Sequence, residues 1–425
     1  MLPTAGGHSF QVRRTFQGHD VIGESREGFL VLANGKRVTP SLGMDRGTVD
    51  LSDPAALRDC GIVCNPSPAA SRAAAGAKAP ANLGHAAEPG KQVAIVPDFE
   101  RRTGPSPGLP GARELADAMN TDPRGDAAVL ADLKSARRRF GGLVAERKQT
   151  GDAENHLFLG CVKPMLNGMN ARSPGLDAIG CTHEDQMVAA LRRLSGNGPE
   201  GHVRFHLGMV ANIHSLAVDA YRHADGRFTL VAVDSISKEM ANSKMADVAR
   251  KHPDLVRGAM VIPTPNQAHT EGCRIFAAHS LEAMRDYQPY IRDLHKGIAA
   301  RAEGKPVPPP APDAWKEVDK NVLALKDPLD AFGVLAGKFF KHIQVLKPPA
   351  GRTTTLLDEA EARNPDLKTA ALNKQGETLR ARVGNQNPEK ALEEFERFDR
   401  TSSTDRKRLV LLDRAIEHYA AKTAN

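Results

Sequence analysis

The sequence predicts an α+β protein, a small mixed sheet with flanking helices followed by a mostly helical region. Three features carry that expectation. Apolar residues recur at helical spacing through "GARELADAMN" and "AAVLADLKSARRRFGGLV". Between Gly201 and Ser235 the pattern switches to strand-like runs bounded by turn residues, and from Cys273 a long amphipathic helix begins.

In chain order, residues 1–112 are rich in Gly, Pro, Ala and Ser, as in "NPSPAASRAAAGAKAPANLGHAAEPGK", and lack sustained periodicity. Such a stretch buries too little apolar surface to offset its ordering entropy, so disorder is expected. Residues 113–304 form the expected core with an N-terminal helical flank. That flank ends in the cationic cluster Lys134, Arg137, Arg138 and Arg139, which by itself describes a solvated helix face. "HEDQMVAALRRLSGNG" reads as a further helix closed by glycines. "VRFHLGMV", "IHSLAVDAYR" and "RFTLVAVDS" read as strands. "CRIFAAHSLEAMRDYQPYIRDLHKGIAARA" reads as a long helix interrupted or bent near Pro289, which cannot donate within the helix. A Pro-rich linker over 305–312 leads to a charged, mostly helical segment over 313–425.

Composition narrows the function classes. With 4% aromatic and 26% charged residues, the chain suits one good core with looser flanks better than three dense domains. Lys and Arg outnumber Asp and Glu by 58 to 51, an excess that fits an anionic ligand or acidic partner. It is too thinly spread for a nucleic-acid reader. Five cysteines at irregular spacing argue against a disulfide framework and for a reducing compartment. Cys60 and Cys64 in "CGIVC" lack a second pair at zinc spacing, so no metal is expected. There is no apolar run long enough for a transmembrane segment, no basic-then-apolar signal peptide, and Leu2 excludes N-myristoylation.

The hairpin "HSLAVDAYRHADGRFTLVAVD" puts His214 and Asp234 on neighbouring strands. A turn centred near Ala224 sets them directly opposite, with Cβ atoms about 4.5–5.5 Å apart. A shorter turn centred on Asp225 and Gly226 leaves them diagonal. In either register the carboxylate can orient the imidazole. A lone strand histidine is ordinarily structural, and a cysteine at a helix start is ordinarily a small buried hydrophobe. Together, His214, Asp234 and Cys273 answer the three needs of a thiol nucleophile. The helix N-terminus and an imidazolium lower the thiol pKa, the imidazole moves the proton, and the acid fixes its tautomer. The Gln267 amide, shortly before Cys273 in "NQAHTEGCRIF", can serve a developing oxyanion.

The order His, Asp, Gln, Cys in strand, strand, loop and helix contexts resembles the cysteine-enzyme clan of the SUMO and ubiquitin-like proteases. It resembles more closely the YopJ family of type III secreted effector acetyltransferases. "FHLGMVANIHSLAVDAYRHADGRFTLVAVDS" and "QAHTEGCRIFAAHSLEAM" are similar to the family's catalytic blocks, "VKPMLNGMNARSPGL" to its entry into the core, and "KFFKHIQ" to a later Lys-His stretch. Two positions depart from the pattern. Gly272 stands where an acidic residue usually precedes the cysteine, and Arg274 where a small or apolar residue usually follows it.

The resemblance implies a ubiquitin-like-protease-type core and a catalytic set of His214, Asp234, Cys273 and Gln267. It implies acetyl-CoA as cosubstrate and ping-pong transfer through acetyl-cysteine to Ser, Thr or Lys of host signalling or immune proteins, kinases among them. Self-acetylation is expected at Lys341. Inositol hexakisphosphate is the expected activator, with Arg137, Arg138, Lys338, Lys341 and His342 as candidate contacts because six phosphates need converging cations. The N-terminal region would carry secretion and chaperone signals, and the protein would act inside the host cell to suppress immune signalling. The alternatives are a protease of ubiquitin-like conjugates, which would use the same four residues with water, and a non-catalytic binding effector. The segment after Pro308 bearing "KFFKHIQ", which a compact peptidase does not need, favours transfer.

Overall fold

The three strand-like runs form the centre of a larger sheet. The computed structural model describes residues 21–24, 30–32, 37–38, 108–146, 152–209, 214–236, 239–267, 272–305, 309–344, 356–372, 376–384 and 395–424. The chain divides into two units, 1–92 and 93–425. In the first, strands β1 (Val21–Glu24), β2 (Leu30–Leu32) and β3 (Arg37–Val38) make an antiparallel sheet in that order. These strands fall inside the 1–112 stretch for which disorder is expected; most of the remainder, with Cys60 and Cys64, lies outside the described residues.

The second unit opens with helices α1 (Ala112–Asn120), α2 (Asp126–Ala145) and α3 (Asp152–Arg172). The helical flank is thus interrupted where Thr121 turns extended and Gly125 takes φ 88°. There follow β4 (Ala178–Cys181), α4 (Glu184–Leu194), β5 (Gly201–Met209), β6 (His214–Arg222), β7 (Phe228–Asp234), α5 (Glu239–Lys251) and β8 (Val256–Pro263). Next come α6 (Cys273–Asp286) and α7 (Gln288–Ala302), with Pro289 in the first turn of α7, so the helix is interrupted rather than bent, at Tyr287. Beyond them lie β9 (Trp315–Asp319), β10 (Val322–Leu325), α8 (Ala331–Val334), α9 (Leu356–Arg363), α10 (Leu379–Gly384) and α11 (Phe395–Thr423).

The sheet has seven strands in the order β4-β5-β6-β7-β8-β10-β9. It is mixed: β5, β6 and β7 form an antiparallel meander, while β4 runs parallel to β5 and β8 lies parallel to both β7 and β10. Both faces are buried, because alternate residues of one strand enter different cores. On β7, Val231 and Val233 join the core made with α2, α3, α6, α7 and α11, while Leu230 and Ala232 join the core made with α1, α4 and α5.

One expectation is corrected here. The Pro-rich stretch does not separate a second, mostly helical body. Beyond it β9 and β10 complete the same sheet, with Val322 facing Ala259 and Ala324 facing Val261 in a parallel ladder. Apolar side chains on both faces of "VLAL" leave that strand stable only inside the sheet. Of the two hairpin registers that the sequence leaves open, the diagonal one is found. Arg222 pairs with Phe228 and Ala217 with Val233, which centres the turn on Asp225. Gly226 makes this tight turn, at φ 82°, where any Cβ would lie within 3 Å of the Gly196 backbone.

Helix α11 seals the first core. Leu411, Leu412, Ala415 and Tyr419 are buried, and Asn167 Nδ2 donates to the Tyr419 hydroxyl at 2.8 Å. The Arg408 guanidinium lies 4.8 Å from the centre of Phe140 and 5.0 Å from that of Phe158, favourable cation–π geometry. Among the described residues no helix is long and apolar enough to cross a membrane.

Candidate active site

Three elements deliver one side chain each to the same end of the sheet: β6 begins at His214, β7 ends at Asp234 and α6 begins at Cys273. His214 and Asp234 are diagonal neighbours, and the imidazole still bonds the carboxylate, Nε2 to Oδ1 at 2.8 Å. The Ile236 backbone N–H donates to the same oxygen at 3.0 Å, which fixes the carboxylate in turn. With Nε2 committed to Asp234, Nδ1 is the nitrogen left for the Cys273 thiol, to which the ring is hydrogen-bonded. All three side chains are buried.

The electrostatics separate Cys273 from an inert core thiol. Cys161 and Cys181 are also buried, and burial pushes both up to about 12. Burial acts on Cys273 in the same direction, yet its pKa is lowered overall. The His214 hydrogen bond and charge outweigh desolvation, helped by the charge of Arg274 and a backbone hydrogen bond from Ser215. For His214, burial opposes the charged form, but Asp234 and the Cys273 sulfur raise it to about 10. His214 and Cys273 thus each favour the other's charged form, shifting the pair toward imidazolium and thiolate.

The two departures noted in the sequence both acquire a local role. Gly272 caps α6 with φ 112°, a left-handed conformation that glycine adopts without a Cβ penalty. Its carbonyl accepts from Ile275 N and Phe276 N, which starts the helix directly at Cys273. Arg274 adds positive charge beside the thiolate, and its carbonyl bonds His206 Nε2 at 3.1 Å. Burial pushes His206 down to about 4, so at neutral pH the ring is uncharged and donates that bond.

Gln267 is buried and tied to the end of β7. Its backbone N–H donates to Ser235 O at 3.0 Å, and the Ser235 hydroxyl donates to Gln267 Oε1 at 2.7 Å. Thr264 makes two further bonds, through N and Oγ1, to Asp234 O at 2.7 and 3.0 Å. On its other side the loop meets the "KFFKHIQ" stretch, where Asn266 Nδ2 donates to Phe339 O at 2.9 Å and Gln344 N to Asn266 O at 2.7 Å. Sequence reasoning passed over Ser235, His206 and Asn266. The one signal for Ser235 is its place directly after Asp234.

The candidate polyanion contacts do not form one tight cluster. Arg137 donates from Nε to Asp413 Oδ1 at 2.6 Å, and Arg138 beside it is exposed on α2. Lys338 pairs with Asp286, His342 Nδ1 bonds Ser403 Oγ at 2.8 Å, and Lys341 is half-buried between them in sequence. Both groups border α11, one at residue 413 and one at residue 403, about 15 Å apart along a helix axis.

Among the described residues, His202, Asp219 and His295 have the types and proximity of metal ligands. They do not fit a metal. Both rings bond Asp219 Oδ1, at 2.6 and 3.0 Å, and Arg204 Nε lies 2.7 Å from Oδ2, so the carboxylate is already neutralised by a buried guanidinium. A dication there would meet like charge.

Comparison with known proteins agrees with the ordered blocks of the sequence. The family model described as YopJ serine/threonine acetyltransferase matches residues 130–414, well over half of the chain. Among solved structures, AvrA delL154 with IP6 and CoA is similar at 16% identity and TM-score 0.48, over 67% of this chain and 98% of that one. HopZ1a in complex with IP6 is similar at 16% identity and TM-score 0.46, over 69% of this chain and 97% of that one. No curated protein sequence matches. On the family match, the chain belongs to the YopJ serine/threonine acetyltransferase family.

Proposed function

We propose that this acetyltransferase works by a ping-pong reaction through an acetyl thioester on Cys273. The observation that carries the proposal is His214 hydrogen-bonded to Asp234 on one side and to the helix-start thiol on the other. The Cys273 thiolate attacks the carbonyl carbon of acetyl-CoA, and the carbonyl oxygen gains negative charge that the Gln267 amide stabilises. The C–S bond to CoA breaks, and the departing CoA sulfur takes the proton from the His214 imidazolium. Acetyl-Cys273 and neutral His214 remain.

Acylation resets the base. The Cys273 thiolate is one of the groups that hold His214 up, and acylation removes that charge, so the imidazole pKa falls toward the range of a general base. His214 then takes the proton of an incoming Ser, Thr or Lys as that group attacks the acetyl carbon. The Cys273 thiolate leaves, the tetrahedral oxyanion collapses, and the starting ion pair is restored. Asp234 stays ionised and holds the ring orientation throughout.

Acceptors are proposed to be host signalling or immune proteins, kinases among them, and the protein itself at Lys341. The self-modification proposal is supported by the bonds that tie the Lys341 stretch to the Gln267 loop through Asn266. Inositol hexakisphosphate is the proposed activator, held by Arg137 and Arg138 with Lys338, Lys341 and His342 along the two stretches that border α11. The proposed setting is delivery by type III secretion, using N-terminal secretion and chaperone signals, followed by suppression of immune signalling inside the host cell.

The test is incubation of the full chain with labelled acetyl-CoA, with and without inositol hexakisphosphate. Expected is label on the protein that depends on Cys273 and rises with the polyanion. Absence of label in both arms, with cleavage of a ubiquitin-like conjugate instead, would replace transfer by proteolysis.

A further inference from the structure

A carboxamide helps an oxyanion with one end only. Its –NH₂ donates, whereas a half-turn about the last torsion presents its oxygen and converts attraction into repulsion. For Gln267 that choice is tied to the neighbouring strand. The Ser235 hydroxyl donates to Oε1 at 2.7 Å, and the backbone bond from Gln267 N to Ser235 O at 3.0 Å closes a two-point clamp between the same residues. Both residues are buried, so water does not readily substitute for either bond. Ser235 directly follows Asp234, whose carbonyl takes two bonds from Thr264. The strand end that orients His214 thus also holds the Gln267 carboxamide.

We propose that Ser235 is a positioning residue for acetyl transfer, its hydroxyl holding Gln267 Oε1 against the end of β7 so that Nε2 is the end offered to the oxyanion. The inference rests on the oxyanion role proposed for Gln267. Ser235 touches neither the acetyl group nor the thiol in this scheme, and it acts only through Gln267.

The role separates two reactions of the same thiol. Acetyl transfer passes through a tetrahedral oxyanion, but alkylation by iodoacetamide is a displacement at saturated carbon and forms none. Ser235→Ala should therefore lower the rate constant for acetyl transfer by about tenfold, less than the 10²–10³-fold typical of deleting an oxyanion donor outright, because Nε2 is still present part of the time. KM for acetyl-CoA should change little, and the rate and pH profile of Cys273 alkylation should match wild type. Ser235→Thr keeps the hydroxyl and should restore most of the transfer rate.

The experiment measures single-turnover acetylation and iodoacetamide alkylation for wild type, Ser235→Ala, Ser235→Thr and Gln267→Ala. Wild-type transfer in Ser235→Ala alongside slow transfer in Gln267→Ala overturns the positioning role alone. Parallel loss of transfer and alkylation in Ser235→Ala also overturns it, since that marks general damage to the site. A Ser235→Thr variant as slow as Ser235→Ala does the same. Full transfer in Gln267→Ala overturns instead the oxyanion reading on which the inference stands.

Discussion

Replacing Glu282 by Gln should release α11 from the core. Glu282 lies on α6, the helix that begins at Cys273, and accepts from Lys407 Nζ at 2.5 Å and Arg414 Nη1 at 2.6 Å, both on α11. The side chains of Glu282 and Lys407 are only 11% and 10% exposed, while Arg414 retains 27%. The amide keeps the shape of the carboxylate and removes its charge. That leaves Lys407 desolvated without a counter-charge, whereas Arg414 recovers part of its hydration. Breaking a buried pair from one side costs about 3–5 kcal/mol, and the partial hydration of Arg414 places this case near the lower end, at about 3 kcal/mol. The pH dependence carries a sign. Burial would raise the Glu282 carboxyl, but Lys407 and then Arg414 hold it far below its ordinary 4.5. Its contribution is therefore fully present above about pH 4.5 and is lost as pH falls toward the folded-state value. Urea unfolding followed by the fluorescence of Trp315, the single tryptophan and buried in the core unit, reads both effects. Expected is a gap of about 3 kcal/mol at pH 7 that narrows on acidification, with partial recovery in Glu282→Gln/Lys407→Met, where the desolvated Lys407 charge is gone and only the part-hydrated Arg414 has lost its counter-charge. A gap below about 1 kcal/mol, or one independent of pH, would refute the reasoning.

Cys273→Ala should abolish self-acetylation yet cost only about 1 kcal/mol of stability, because it removes one sulfur from a buried position; residual transfer would dismiss Cys273 as nucleophile. His214→Ala should slow transfer by about 10³-fold or more, and Asp234→Asn by a smaller or comparable factor, since the acid acts through the ring. Wild-type rates in both would dissolve the triad. Alkylation of wild-type Cys273 should rise at lower pH than that of an ordinary thiol, because its pKa is lowered. In His214→Ala only Arg274 and the Ser215 backbone bond still oppose burial, so the rise in rate should move to higher pH, and unchanged profiles would count against the ion pair. Arg137→Ala with Arg138→Ala should weaken calorimetric binding of inositol hexakisphosphate and its salt dependence while leaving alkylation intact. Equal affinity would assign α2 to a solvated face.

What the sequence determined by itself is whatever depends on near neighbours along the chain. The meander from Gly201 to Asp234 was legible because its strands follow one another and Asp225-Gly226 marks the turn. The start of a helix at Cys273 and its interruption near Pro289 were legible for the same reason, as was the order of the His, Asp, Gln and Cys blocks. Tertiary structure decided what depends on pairs distant in sequence. Strand β8, "VRGAMVIP", is apolar on both faces, and its parallel partners β7 and β10 are reached only across α5 and the α6–α7 pair. A one-residue difference in the centre of the turn chose the diagonal over the opposed register, and no local periodicity records it. The Ser235–Gln267 clamp spans 32 residues and the Glu282–Lys407 bond 125, so neither is recorded in local sequence spacing. Residue type shows what such groups are able to do. Folding alone supplies the burial and the partner, here a thiol whose pKa His214 lowers while burial raises those of two other cysteines.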